Sequence, residues 1–307
     1  MNELKLKNKN LFKIKISSDN KYLVAITNKV TLYHFDGLTV LAEFKDIKNP
    51  SYVTFSSDNR LLAVKSTIGE VGIFDIRSKM FVRKFKHVHE AGDGSNIFFT
   101  LDDQFIIDGD WRGNIRLLNL QDGSIKVVEM SDNTMIKSME FDNKENIYHI
   151  HKFNRGNYCE LSTNFISRWK YDVKLKTLFK QDETNQVNKI GDAISYNRQK
   201  GYYVSTRRIL LKQEEIIVFD YNLLQELKRR LIYCDVKINI IKSSISPNCA
   251  YYALAFDDKV HIYSLDDLEL RKEIIAPSPN HIDFTTDSQY FYFTSRSGET
   301  FIYSTNF

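Results

Sequence analysis

Apolar and polar positions alternate along most of this chain of 307 residues, in runs of five or six, as in Tyr22-Leu23-Val24-Ala25-Ile26 and Val30-Thr31-Leu32-Tyr33-His34-Phe35. A period of two places apolar side chains on one face of an extended strand. Short polar clusters rich in Ser, Asp and Asn separate the runs, and these residue types favour turns because their side chains bond the nearby backbone. The pattern predicts many short antiparallel strands.

The pattern repeats. An apolar residue opening a polar turn, followed by a second apolar run, recurs at Ile16, Phe55, Phe99, Phe141, Tyr196, Ile245 and Phe284, with spacings of 39, 44, 42, 55, 49 and 39 residues. A further alternating run lies downstream in each unit, beginning at Val30, Val71, Ile115, Phe165, Ile216, Val260 and Phe301. In six units a polar turn and a fourth run follow, whereas the seventh stops at Phe307 after three. An unassigned alternating strand around Leu4 to Lys7 supplies the missing one. Seven four-stranded units of this length predict an all-β fold, a seven-bladed β-propeller with four-stranded antiparallel blades, its ring closed by the N-terminal strand in the last blade. The expected organisation is one domain, 1–307, with blades at roughly 11–48, 51–88, 95–132, 135–183, 190–236, 240–277 and 280–307 plus 3–8. The fourth and fifth units are stretched, and their extra residues, around 154–164 and 207–215, predict a protruding hairpin.

The stretch Gly109-Asp110-Trp111-Arg112-Gly113-Asn114-Ile115-Arg116-Leu117-Leu118-Asn119-Leu120 resembles the turn-and-strand signature of WD-repeat propellers, and the resemblance extends over essentially the whole chain. At the family's Trp-Asp position the chain carries Leu118-Asn119, Phe74-Asp75 and Phe219-Asp220, and His89 is an approximate match to its Gly-His pair. The resemblance implies that the loops between second and third strands, together with those between blades, form the docking face. Aromatic packing is expected to replace the family's hydrogen-bond network, since the chain holds 21 Phe and 17 Tyr.

Composition narrows the function classes. Formal charge is +4, from 43 basic and 39 acidic side chains, too small to demand nucleic acid or an anionic membrane. Cys159, Cys234 and Cys249 are odd in number and lack metal-ligand spacing, which fits a reducing compartment. The first ten residues lack the apolar core of a signal peptide, and no apolar stretch is long enough for a membrane span. A cytoplasmic location is expected. Catalytic signatures are absent: there is no nucleophile elbow, metalloprotease helix, phosphate loop or dinucleotide fingerprint. No cofactor, no metal and no enzymatic activity are expected. The pairs His149/His151 and His87/His89 could each share a ligand, but without further ligands at metal spacing they read as packed or solvated side chains.

The expected docking loops carry Lys29, Lys65, Arg112, Arg155, Arg207 with Arg208, Lys259 and Arg296, at least one basic residue per blade, interspersed with Glu70, Asp110, Glu214, Glu215, Asp257, Asp258 and Glu299. Trp111 sits beside Arg112, and Trp and Arg are the side chains that dominate interface hot spots. Trp169, within a strand, reads as packing. The candidate partner-binding face is therefore Trp111, Arg112, Lys65, Arg155, Arg207, Arg208, Arg296 and His89. The expected function is a non-catalytic scaffold for a protein or peptide partner. Two alternatives stand beside it. One is an anionic-ligand binder for phosphoinositide or nucleic acid through a basic ring, although Thr206-Arg207-Arg208-Ile209 departs from the Phe-Arg-Arg-Gly motif of phosphoinositide-binding propellers. The other is a propeller hydrolase of the sugar-lactonase kind.

Overall fold

The computed structural model describes residues 4–7, 11–86, 97–130, 134–142, 145–154, 163–185, 193–197, 201–210, 213–220, 225–233, 242–276 and 278–306. Apart from a single short 3-10 turn at Asp36–Leu38, the regular structure among them is entirely β, arranged in seven four-stranded antiparallel sheets. Six follow the chain as meanders, at 13–44, 50–85, 98–129, 134–185, 193–233 and 242–275, and are called blades 1 to 6. In blade 7, Pro279–Phe284, Tyr290–Ser295 and Glu299–Ser304 are joined by Leu4–Lys7 on the far edge, with Leu4 opposite Ile302 and Lys7 opposite Glu299. The all-β expectation and the completion of the last blade by the N-terminal strand are both met.

Two compact units make up the chain. Ser17–Val187 contains the bulk of blade 1 and blades 2 to 4. Its apolar clusters each straddle neighbouring sheets: Leu32 and Phe44 meet Leu62 and Phe74, Ile73 and Phe85 meet Phe99 and Ile106, and Leu117 meets Tyr148 and Trp169. The Phe44 and Phe74 rings lie 4.3 Å apart. The second unit joins Met1–Ile16 to Asn188–Phe307. There Val204 and Val218 pack on Tyr252 and Leu254, and Ile262 packs on Phe291 and Phe293. Within each unit, stacking a sheet on its neighbour removes the apolar faces between them from water.

One turn accounts for the repeat seen in the sequence. Ser17 Oγ donates to Asp19 Oδ1 at 2.7 Å and accepts the Tyr22 amide at 2.9 Å, while Asn20 adopts φ +56°. Ser56, Asp58 and Asn59 repeat this arrangement, as do Thr100, Asp102 and Asp103, Ser246, Asn248 and Cys249, and Thr285, Asp287 and Ser288. The left-handed residue of one turn also meets the turn of the preceding blade. Ser18 and Asn59 share side-chain hydrogen bonds, Ser57 N donates to Asp103 at 3.0 Å, and Asn248 N donates to Ser288 Oγ at 2.8 Å. These polar residues therefore close a hairpin and fasten adjacent blades at once.

The stretched units resolve into long strands. Blade 4 contains Thr163–Asp172 and Thr177–Asn185, and blade 5 contains Tyr202–Leu210, against strands of two to six residues in blades 1, 2, 3, 6 and 7. In blade 5 the pairing runs on through Arg207 opposite Glu215 and Arg208 opposite Glu214 to Leu210 opposite Gln213, an extended hairpin. No helix among the described residues is long and apolar enough to cross a membrane.

Candidate partner-binding site

The turn between the second and third strands of blade 3, Phe105–Gly109 and Ile115–Asn119, carries Trp111 and Arg112. Asp110 builds it. Its Oδ1 accepts the amides of Arg112 and Asn114, each at 2.9 Å, and its Oδ2 accepts Asn114 Nδ2 at 2.9 Å. Gly113 donates to the Asp110 carbonyl at 3.1 Å and takes φ +85°, a left-handed geometry that only glycine adopts without strain. The Asp110 carbonyl also accepts the Ile136 amide from blade 4.

Under the turn lies a buried ionic network. Arg116 Nη2 pairs with Asp110 Oδ2, Arg116 Nη1 with Asp108 Oδ2 at 2.9 Å, and Lys65 Nζ with Asp108 Oδ1 at 2.8 Å. Lys65 also donates to the Gly109 carbonyl. All four side chains are buried, and their charges balance. Burying charge is costly unless each ion is paired, and each of these four has an opposite charge within 4 Å. Trp111 stands above it, 49% exposed, with Arg112 exposed beside it and in no ion pair.

Two other turns share this construction. Ser66 Oγ accepts the amides of Ile68 and Glu70, and Gly69 takes φ +78°. Ser295 Oγ accepts the Glu299 amide, and Gly298 takes φ +85°. In register with Trp111-Arg112, blade 2 presents Thr67-Ile68 and blade 7 presents Arg296-Ser297. Ile68 is 48% exposed. Being apolar, it has no place in the pattern of basic loop residues. The signal was the Ser-x-x-Gly spacing, which aligns Ile68 with Arg112.

The expected face residues among those described have definite places. Arg112 and Arg296 are exposed on their turns. Lys65 is not on the surface; it precedes the turn-opening Ser66, and its ammonium is consumed by Asp108. Arg207 and Arg208 lie within a paired strand and not in a loop. Arg155 and His89 fall outside the described residues. Of the remaining basic loop residues, Lys29 pairs with Glu43 and Lys259 with Glu273 on the adjacent fourth strands. Among the described residues, then, the basic loop positions do not add up to a continuous ring of free cations.

The other candidates are packed. His149 and His151 are both buried, and Trp169 is buried with its indole N–H on Ser167 Oγ at 3.0 Å. The pair His87/His89 lies outside the described residues, as do Cys159 and Cys234, whereas Cys249 is buried. No group of three or more metal-ligating side chains occurs among the described residues.

Seven four-stranded meanders, the last completed by the first strand of the chain, define the class as a seven-bladed β-propeller. Two solved structures superpose on nearly the whole chain: the β-propeller domain of Cps50 (Swd1) from Myceliophteria thermophila, with TM-score 0.75, 9% identity and coverage of 99% of this chain and 100% of that one, and hydrazine synthase from Kuenenia stuttgartiensis, with TM-score 0.75, 12% identity and coverage of 98% and 97%. No family profile matches the sequence, and no curated protein matches it. At these identities the likeness is one of fold.

Proposed function

We propose that this propeller is a non-catalytic binding platform that engages a protein or peptide partner through the second-to-third-strand turns of blades 2 and 3. The observation that carries this reading is Trp111, half exposed on a turn anchored by a buried ionic network. A large ring held rigid before binding loses little conformational freedom on contact, so more of its buried area appears as affinity. Ile68 at the equivalent turn adds apolar surface, and the unpaired guanidinium of Arg112 selects a carboxylate. The preferred partner segment therefore presents an acidic side chain beside an apolar one. The nearby ionisable groups support a non-catalytic role: Lys65, Asp108, Asp110 and Arg116 are engaged with one another, and none is left to move a proton.

Affinity capture of tagged protein from its own cells, comparing wild type with the double variant Trp111→Ala, Arg112→Ala, with and without nuclease, tests this. The expected result is a nuclease-resistant protein partner recovered by wild type and lost from the variant. Partners retained equally by both proteins, or removed entirely by nuclease, would overturn the reading.

A further inference from the structure

Among the described residues, five blades repeat one hydrogen bond just past the third strand. The backbone N–H of the residue that follows the strand donates to the carbonyl of the residue before the second strand: Phe35 to Lys21 at 2.8 Å, Ile76 to Arg60 at 2.9 Å, Leu120 to Gln104 at 3.0 Å, Leu265 to Ala250 at 2.8 Å and Thr305 to Gln289 at 3.0 Å. In blades 1, 2, 3 and 6 that residue is apolar, and Phe35, Ile76 and Leu265 are buried. From it the chain runs on through a turn into the blade's own fourth strand. Blade 7 departs from the repeat at both points. Thr305 is smaller and polar, and its Oγ1 donates to the Ser288 carbonyl. The fourth strand is Leu4–Lys7, from the other end of the described chain, so Thr305 leads into no such turn. A cavity of about 740 Å³, lined by Thr305, opens at this place, within the unit that joins Met1–Ile16 to Asn188–Phe307. A repeat that gives up the packing residue its fellows keep marks a place where another demand is met.

Three short segments wall the cavity. Ser304, Thr305 and Asn306 form one side, the turn from Asp287 to Tyr290 forms the second, and Asn248 of blade 6 forms the third. The walls are held together by backbone: Thr305 N bonds the Gln289 carbonyl, and Asn248 N bonds Ser288 Oγ at 2.8 Å. Asn248 Oδ1 closes its own turn, accepting Ser246 Oγ at 2.7 Å, but its Nδ2 and the carboxamides of Gln289 and Asn306 make no hydrogen bond among the described residues, and all three side chains are exposed. A carboxamide donates and accepts at adjacent atoms, which is the complement of two vicinal hydroxyl groups. The Ser304 hydroxyl can do either, and the Asp287 carboxylate accepts from a hydroxyl while repelling an anion. Tyr290, partly buried, adds an aromatic surface for C–H groups. The volume falls in the range of small-molecule sites, about 300–1,000 Å³.

We propose that this cavity binds a neutral sugar, one hexose unit met free or as the end of an oligosaccharide. The carboxamides of Asn248, Gln289 and Asn306 bond its hydroxyl groups, and Tyr290 takes its C–H surface. Thr305 makes the room that the apolar residue fills in blades 1, 2 and 6. The site is separate from the Trp111 turn and does not depend on the partner reading.

Saturation-transfer NMR with free glucose, galactose, mannose and N-acetylglucosamine, and in a second arm with short oligosaccharides ending in each of these sugars, tests the proposal on the full chain. Wild type is expected to bind at least one of them saturably with a dissociation constant below about 20 mM, and the tighter arm distinguishes a free sugar from a chain end. Gln289→Ala and Asn306→Ala should each weaken binding by about tenfold, the loss of hydrogen bonds from one carboxamide. Thr305→Leu, which restores the apolar residue of the other blades, should abolish binding while the melting temperature holds or rises. The Trp111→Ala, Arg112→Ala protein should bind as wild type does. Absence of saturable binding in both arms, or affinity undiminished in Thr305→Leu and in the two alanine variants, would overturn it.

Discussion

The seam between blades 2 and 3 and the inner edges of blades 6 and 7 handle charge differently. At the seam two buried cations face two buried carboxylates; at the inner edges, among the described residues, no ion pair reaches Lys242 and no hydrogen bond reaches the buried His281 Nδ1. A balanced buried set fixes structure, because removing any member strands its partners. A buried polar group without a partner is a standing cost to the fold. The count of partners, and not the residue type, decides which of the two a buried group is.

The sharpest way to break this contrast is Asp108→Asn, which leaves Lys65 and Arg116 buried around a single carboxylate. Unfolding in urea should show a loss of about 3–5 kcal/mol. Adding Lys65→Met to the same chain should recover much of it, since the surviving Arg116–Asp110 pair is balanced again. A loss below about 1 kcal/mol would mean that the network is solvated and not buried.

Acid should act next in size. Desolvation, only partly opposed by Glu273, lowers the pKa of His261, whose ring lies 2.7 Å from that carboxylate, and burial lowers that of His281. Imidazoles held below their unfolded value bind fewer protons in the native state. Stability is therefore full above the unfolded histidine pKa and falls as pH drops below it. The melting temperature should decline as pH falls from about 7.5 to about 5.5, and His281→Phe should flatten part of that decline. Asp283 works lower still: burial alone would raise its pKa, but Lys15 and His281 carry it far below the usual carboxylate range, so its contribution is lost only in stronger acid. A level melting temperature between the two pH values would remove the histidines from the stability balance.

The smallest effect is expected at the exposed turn. Trp111→Ala with Arg112→Ala should alter stability by no more than about 0.5 kcal/mol in the same urea experiment, because neither side chain supports the Asp110 turn. A larger loss would show that Trp111 packs on the blade, and the platform reading would lose its anchor.

The sequence disclosed the architecture because its turns are chemically specific. Ser or Thr followed two residues later by Asp or Asn is a local device, complete within six residues, and it recurs between the first and second strands of blades 1, 2, 3, 6 and 7. The candidate site was legible only where it was equally local, as at Trp111-Arg112. Lys65 looked like a loop cation because its partner Asp108 belongs to another blade, a pairing made by folding. Arg207 and Arg208 looked like a loop because strand length in blade 5 departs from the other repeats. The meeting of three blades at Asp283 was hidden for the same reason as Lys65: Lys15, Ser244 and Asp283 come from three distant repeats, and the repeat pattern registers their strands without registering which side chains meet.

The pairing of Leu4–Lys7 with Glu299–Ser304 sets an order on synthesis as well as on structure. Leu4–Lys7 leaves the ribosome long before Glu299–Ser304 exists, so it must wait unpaired until that segment has been made. Blades 2 to 6 can each form from consecutive residues as they appear, but completing blade 7 is a final, long-range step. Residues 4–7 and 299–304 thus meet in one sheet across almost the whole span of the fold, and a chain stalled before residue 299 would leave Leu4–Lys7 without its partner, a mark by which quality control could tell an unfinished product from a finished one.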